Sequence, residues 1–301
     1  MELKPALSYE EQIEHLKSYH NLHVEDGDEA VKILKRVNYY RLSGYGIGLK
    51  QKDNREKYID GTSLETIYRL YLFDSKFKNI LIHTIEQIEI QLRAQISNYM
   101  ALKYGAECYR YAENFVSKQT KEGEEIHAKI LSSFDEECKR QKNVPFVKHH
   151  FQKYEGHFPI WVAIDLFTFG NLCSLYDIMK NEDKKEISKL YSTKPNYLEG
   201  WILSLVEVRN ICAHYGRLYN LPLKQSPYLY KEYKQFRKSG INKIFPVIIT
   251  IKRMLKDNYA VCNKFYDDLE NLMNEYGDVI KLSFIGFPNE WKNVLREYKN
   301  N

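Results

Sequence analysis

Apolar residues recur at helical spacing over a long stretch in the first third of the chain, and this feature constrains the fold most strongly. Steps of three and four residues return to the same side of an α-helix, so the stripe predicts one long amphipathic helix. A capping-box pattern around Ser63 starts this helix and Gly105 ends it. Because its apolar face must be buried, we expect other helices to pack along it. The stripe consists of Leu64, Ile67, Tyr71, Phe77, Leu81, Ile85, Ile88, Leu92, Ile96 and Tyr99.

Most of the remaining sequence shows the same periodicity. Ser8 to Glu11 forms a capping box that predicts a helix to about Tyr19, and Gly27-Asp28 starts a second helix that ends near Val37. The sequence therefore predicts a mainly all-α fold. Further helices are predicted at about 124–141, within the apolar run 159–179, at about 196–215, 245–255 and 259–276, and from residue 289.

Three interruptions stand out in this helical pattern. The three glycines in the segment 38–48 predict a turn, and a short β-hairpin there is the best candidate for non-helical structure. The polar stretch 117–123 is expected to be a solvated linker, and Gly170 marks a break in the apolar run.

Composition restricts the compartment and the class of site. The chain has 301 residues, of which 44% are hydrophobic, so it can bury a large core. A formal net charge of +5 permits binding to a polyanion without requiring it. The sequence lacks an apolar signal segment, a membrane-spanning stretch, a phosphate-binding loop and a Rossmann fingerprint. We therefore expect a cytoplasmic protein with no membrane association and no cofactor. Its well-separated cysteines favour a reducing compartment and disfavour zinc; they are Cys108, Cys138, Cys173, Cys212 and Cys262.

The segment from Arg209 to His214 carries the residue types that metal-independent RNA cleavage needs. Histidine can accept or donate a proton near neutral pH, and the guanidinium group offers forked donors to phosphate oxygens. Five steps of about 100° separate these two side chains by about 140° on one helix, so they cannot form a tight pair alone. Asn210, His214 and Arg217 instead make one polar stripe on a continuous helix. A kink near His214 or a second copy of the chain would bring Arg209 to this stripe, and we predict a homodimer with a composite site.

The pattern Arg-Asn-x-x-Ala-His-x-x-Arg-Leu-x-Asn from Arg209 to Asn220 resembles the HEPN ribonuclease motif as found in the Abi family of abortive-infection proteins, the AbiD- and AbiF-like group. Other blocks resemble the same family, so that the similarity spans nearly the whole chain. They are KPALSYEEQIEHL at 4–16, NYYRLSGY at 38–45, IEQIEIQLR at 85–93, FPIWVAI at 158–164 and GFPNEW at 286–291.

This resemblance implies a HEPN-like helical bundle and cleavage of RNA in the defence of bacteria against phage. His214 would act as acid or base, Arg209 would stabilise the phosphorane, and Asn210 would orient the scissile phosphate. A structured non-coding RNA is the expected guide or antitoxin. The corresponding division is an N-terminal helical and hairpin segment at 1–60, a HEPN-like core at 61–220, and a basic loop with C-terminal helices at 221–301.

Basic and aromatic residues outside the motif suggest where RNA binds. Cations alternate with rings in the segment 224–238, and phosphate contacts combined with stacking are typical of RNA recognition. Packing of the tyrosines against the domain explains this segment equally well. The predicted RNA-binding residues are Arg217, Lys231, Tyr233, Lys234, Arg237, Arg36 and Arg41. Glu86, Glu89 and Arg93 share one helix face and could position Arg209 or the RNA, although ordinary surface ion pairs account for them as well.

The sequence is also compatible with two other functions. A non-catalytic RNA-binding protein would use the same helical surface as a dimerisation and docking platform. A DNA-binding regulator would use the N-terminal helices, but no recognition helix is evident there. The spacing of His149, His150 and His157 fits a surface cluster better than a metal site.

Overall fold

Regular structure is almost entirely α-helical in the computed structural model, which describes residues 5–115, 121–237 and 242–296. Two isolated bridges, His23 to Ser63 and Lys50 to Tyr58, are the β-pairing seen within these ranges. The predicted all-α fold class is confirmed. The first helices are α1 (Tyr9–Ser18), α2 (Gly27–Arg36), α3 (Tyr39–Ser43), α4 (Leu64–Tyr104), α5 (Lys121–Arg140), α6 (Pro145–Lys153) and α7 (Ile160–Ala163). The later ones are α8 (Phe169–Ile178), α9 (Asn181–Leu190), α10 (Pro195–Ala213), α11 (Phe245–Met254), α12 (Tyr259–Glu275), α13 (Leu282–Ile285) and α14 (Trp291–Arg296).

Local capping accounts for the helix starts near the N-terminus. The Ser8 hydroxyl accepts the Glu11 amide at 3.1 Å, and the Glu11 carboxylate accepts the Ser8 amide at 2.7 Å, which completes the predicted capping box of α1. The Ser63 hydroxyl accepts the Thr66 amide at 3.1 Å and begins α4 at the predicted place. Most of the apolar stripe that follows is fully buried, as expected.

The predicted β-hairpin at 38–48 is wrong. The Asn38 side chain accepts the Arg41 amide at 2.9 Å, which starts the short helix α3 instead. The last two glycines of the segment, Gly46 and Gly48, allow aromatic side chains to pack directly against the backbone and do not form a hairpin turn. A Cβ atom at Gly46 would lie 2.6 Å from the Tyr58 ring, and one at Gly48 would lie 2.2 Å from the Phe284 ring.

The apolar run 159–179 is interrupted, but not at Gly170. Helix α7 passes into a 3₁₀ turn at Ile164–Leu166, and α8 begins at Phe169. The Thr168 hydroxyl accepts the Asn171 amide at 3.0 Å and caps α8, so Gly170 lies inside the helix. Of the linker predicted at 117–123, residues 117–120 lie outside the described ranges, and α5 begins at Lys121.

The chain forms two compact units, and it passes between them four times: within α4, within α10, within α12 and in the segment between α10 and α11. The first unit comprises Met1–Leu81, Ile211–Pro222 and Phe265–Asn301. Its core contains a cluster of aromatic rings, in which the Phe73 ring centroid lies 5.9 Å from the Tyr219 ring and 5.9 Å from the Tyr276 ring.

The second unit comprises Ile82–Asn210 and Leu223–Lys264. The Phe134 ring of α5 packs against Tyr109 at 5.4 Å and against Phe158 at 5.7 Å. Helix α5 therefore contacts both the segment before it and the segment that precedes α7. The division into 1–60, 61–220 and 221–301 remains a prediction.

Candidate active site

Helix α10 carries the first two residues of the motif. It begins at Pro195, where the missing amide hydrogen costs no helical bond. One face is fully buried, and Asn210 lies on the exposed side while Arg209 is partly exposed. The buried face consists of Leu198, Trp201, Ile202, Leu205 and Val208.

The helix ends at Ala213, immediately before His214. The Gly216 amide donates to the Ile211 carbonyl at 2.8 Å and the Tyr215 amide donates to the Cys212 carbonyl at 3.2 Å. These two bonds form a Schellman motif, in which the residue at the Tyr215 position adopts the left-handed conformation. Tyr215 does so with φ of 56°, although glycine is the usual residue there.

This helix end corrects the predicted stripe of Asn210, His214 and Arg217. The stripe requires a helix that continues through Arg217, whereas the chain leaves the helix after His214. Arg217 therefore lies in the following segment, where its guanidinium donates to the Gly44 carbonyl. Burial lowers the pKa of Arg217 from its ordinary value.

Arg209 faces a carboxylate that is itself held in place. The Arg209 Nε atom lies 4.0 Å from Glu89 Oε2. Glu89 is largely buried and pairs with Arg93, which also donates to the Phe167 carbonyl at 2.8 Å and to the Ile164 carbonyl. Because Arg93 fixes the Glu89 carboxylate, the guanidinium of Arg209 has a defined ionic neighbour.

Glu86, Asn210 and His214 do not take part in this ionic contact. Glu86 is exposed, and its carboxylate lies 3.9 Å from His83 Nδ1. The Asn210 Oδ1 atom is 3.5 Å from the Arg209 guanidinium, which is a long contact. His214 is exposed and makes no hydrogen bond or ion pair with any residue in the described ranges.

A buried carboxylate holds the segment after His214, and it was not predicted. Asp74 on α4 has an exposed fraction of 0%. Its oxygens accept the Tyr219 amide at 2.7 Å, the Leu218 amide at 3.1 Å and the Tyr45 hydroxyl at 2.8 Å. The Lys78 ammonium lies 3.2 Å from Asp74 and compensates its charge. Burial, together with the Asp74 charge, raises the pKa of Tyr45 far above its ordinary value.

Lys78 and a second cation, Arg41, hold the carbonyls of the same segment. Lys78 donates to the Gly216 carbonyl at 2.8 Å, and Arg41 donates to the Tyr215 carbonyl at 2.7 Å. We call Asp74, Lys78 and Arg41 the clamp. A sequence signal for it exists, since Asp74 and Lys78 interrupt the buried stripe of α4 at positions where apolar residues are expected.

The other predicted RNA-binding residues fall into different settings. Arg36 is exposed and lies 3.7 Å from Glu29. Lys231, Lys234 and Arg237 are exposed around a 3₁₀ turn at 231–236. The final residue of that predicted segment, Lys238, lies outside the described ranges.

The rings of the same segment mainly pack. Tyr233 is only 6% exposed, so it could stack on a base only if the segment moved. The Tyr230 ring stacks on Tyr197 at 4.7 Å, and the Trp201 indole donates to the Tyr228 carbonyl at 2.8 Å. The guanidinium of Arg237 lies 4.6 Å from the centre of the Tyr228 ring.

Two histidines of the predicted surface cluster, His150 and His157, have protein groups as partners. His150 Nδ1 lies 2.9 Å from the His157 carbonyl, and His157 Nδ1 lies 3.0 Å from Glu107. Within the described ranges, no group of three or more His, Cys, Asp or Glu side chains is arranged to hold a metal ion.

None of the helices in the described ranges is both long enough and apolar enough to cross a membrane. Comparisons with curated proteins and with solved structures gave no match.

A protein-family model described as Abi-like protein matches residues 32–220, from within α2 to the end of the Arg209 to Asn220 motif. The match covers more than half of the chain and confirms the Abi part of the predicted resemblance. The chain belongs to the Abi-like protein family.

Proposed function

We propose that this protein is a HEPN-type endoribonuclease that acts in the cytoplasm in abortive-infection defence against phage. Membership of the Abi-like family supports the biological role. The observation that carries the chemical role is the helix end after Ala213, which leaves His214 exposed and without a protein partner in the described ranges. Arg209, five residues earlier, has its Nε atom 4.0 Å from the carboxylate of the largely buried Glu89.

The reaction is an internal transfer that needs no metal ion. A base removes the proton of the 2′-hydroxyl, the 2′-oxygen attacks phosphorus, and the bond from phosphorus to the 5′-oxygen breaks. An acid protonates the departing 5′-oxygen. The products carry 2′,3′-cyclic phosphate and 5′-hydroxyl ends. His214 serves as base or acid, Arg209 stabilises the charge on the phosphorane, and Asn210 orients the phosphate.

A second copy of the chain would supply the second histidine. The base and the acid act on different oxygen atoms of one phosphate, and the sequence contains one Arg-x4-His match. A homodimer with two-fold symmetry would place two such segments in one composite site. Glu89 and Arg93 are positioning residues in this scheme, because they act through Arg209.

The test is cleavage of end-labelled RNA with and without EDTA by wild type, Arg209→Ala and His214→Ala. We expect wild type to cleave in EDTA and to leave cyclic phosphate ends. His214→Ala should lose at least about 100-fold in rate, the usual effect of removing a general acid or base. His149→Ala, at another exposed histidine, is the matched control and should keep full activity.

Two results would overturn the mechanism. One is cleavage that survives His214→Ala, and the other is cleavage that stops in EDTA. Light scattering of the same preparations tests the homodimer.

The exposed cations Lys231, Lys234 and Arg237 favour a second candidate, a non-catalytic protein that binds a structured non-coding RNA. Such a protein would copurify with RNA whose ends do not depend on Arg209. Sequencing the bound RNA from wild type and from Arg209→Ala distinguishes the two functions, since only a nuclease changes the ends.

A further inference from the structure

Tyr215 follows His214 directly and combines a left-handed backbone with an exposed ring. Its φ is 56° and its exposed fraction is 74%. A bulky residue rarely adopts this conformation, because its Cβ atom crowds the following carbonyl oxygen. Of the non-glycine residues with positive φ in the described ranges, Tyr215 is the only aromatic one. Packing does not explain why a tyrosine stands where glycine is favoured.

The backbone at Tyr215 and in the four residues after it is held by side chains of α3 and α4. Arg41 holds the Tyr215 carbonyl at 2.7 Å, and Lys78 holds the Gly216 carbonyl at 2.8 Å. Asp74 binds the amides of Leu218 and Tyr219. A ring that projects from a fixed backbone loses little conformational freedom when a ligand stacks on it, which favours binding.

The surroundings of the ring suit a nucleotide. The Arg41 guanidinium is exposed, and a guanidinium has five N–H donors, of which the Tyr215 carbonyl engages one group. No carboxylate in the described ranges pairs with Arg41, so its positive charge is available to a phosphate. Tyr40, the residue before Arg41, is 90% exposed and offers a second ring.

We propose that Tyr215 is the stacking platform of a subsite for an unpaired nucleobase, with Arg41 binding an adjacent phosphate. This inference rests on the proposed function for its substrate, RNA, and narrows that substrate to single-stranded segments. A base inside a duplex has both faces covered by its neighbours, whereas an unpaired base can turn out and stack on a protein ring. Because Tyr215 adjoins His214, the stacked base would select the phosphate that is cleaved.

The test measures binding without turnover, in the full-length His214→Ala protein. The probe is a single-stranded oligoribonucleotide that contains 2-aminopurine, whose fluorescence is quenched when the base stacks. Adding Tyr215→Leu should weaken binding about 10- to 100-fold, the usual range for loss of one stacking ring, and should abolish the quenching. Tyr215→Phe retains the ring and should bind within about twofold of the parent.

The matched control is Tyr259→Leu, which removes a tyrosine of similar exposure, 72%, from the start of α12. It should leave binding unchanged. The same probe in a duplex should bind more weakly than the single strand and show no quenching. Circular dichroism confirms that each variant is folded.

Three results would overturn the subsite. They are unchanged binding by Tyr215→Leu, equal binding and quenching with the duplex, and a change in molar mass of Tyr215→Leu in light scattering, which would assign the ring to a contact between copies. Cleavage by wild type is measured separately. Tyr215-dependent quenching without cleavage would defeat the nuclease proposal alone, and cleavage with unchanged binding by Tyr215→Leu would defeat the subsite alone.

Discussion

At the scale of single residues, Asp74 shows how a buried charge can serve a surface site. Its carboxylate accepts two backbone amides and the Tyr45 hydroxyl, and Lys78 compensates its charge. An ion pair of this kind is a weak source of net stability because both charges lose their hydration. Its effect here is conformational, since it fixes the backbone that follows His214.

Removing the carboxylate should therefore be costly. We expect Asp74→Ala to lower the free energy of unfolding by about 3–5 kcal/mol, because Lys78 and the amides lose their partner in the interior. Asp74→Ala combined with Lys78→Met should cost less than the sum of the two single changes, since no unpaired charge remains.

Urea unfolding followed by circular dichroism measures these changes. Glu86→Ala, at an exposed position of the same helix, is the control and should change the free energy of unfolding by at most about 0.5 kcal/mol. A loss below about 1 kcal/mol in Asp74→Ala would show that the clamp does not hold the segment.

At the scale of elements, the backbone at the C-terminal end of α10 is strained at Tyr215, which directly follows His214 of the candidate site. A Schellman motif normally places glycine in the left-handed position, and a tyrosine there costs about 1–2 kcal/mol of local strain. Strained backbone persists when the surrounding structure enforces it and is frequent at functional sites. The clamp supplies that enforcement at Tyr215.

This view predicts opposite effects on stability and on binding for one substitution. Tyr215→Gly should raise the free energy of unfolding by about 0.5–1 kcal/mol, because relief of strain exceeds the added entropy of the unfolded chain. It should also lose the base-dependent fluorescence quenching. Tyr259→Gly, at a helical position of similar exposure, should not raise stability. Urea unfolding of both variants is the measurement, and a destabilised Tyr215→Gly would contradict the strain.

At the scale of the whole molecule, burial of phenol and thiol groups links stability to pH. Burial raises the pKa of Cys108 and Cys138 to about 11 and that of Cys173 and Cys212 to about 12. It also raises the pKa of Tyr45 and Tyr58 well above the ordinary value. The folded state therefore favours the neutral form of each group more strongly than the unfolded state does.

The direction in which stability changes with pH follows from this difference between the folded and unfolded pKa values. Stability from these groups is complete below their unfolded pKa values, about 8.5 for cysteine and about 10 for tyrosine, and is lost as the pH rises toward the folded values. We expect the urea midpoint to be nearly level from about pH 7 to 8.5 and to fall steadily above about pH 9. Tyr58→Phe should make the decline shallower, whereas the exposed Tyr259→Phe should not. A midpoint that stays level up to about pH 11 would contradict the linkage.

The local sequence pattern was sufficient to predict much of the helical framework. The capping box at Ser8, the N-cap at Ser63 and the apolar stripe of α4 all depend on residues close in sequence, so the sequence alone predicted where these helices begin and which face is buried. The β-hairpin predicted at 38–48 was wrong because Gly46 and Gly48 are needed for close approach to the Tyr58 and Phe284 rings and not for a hairpin turn.

The sequence by itself determined the helical class, the family and the residue types of the motif. Only the tertiary structure decided where α10 ends, that Glu89 lies beside Arg209, and that Arg217 donates to the Gly44 carbonyl. The physical reason is distance along the chain. Asp74 and Leu218 are 144 residues apart, and no local periodicity reports which buried amide a carboxylate will meet.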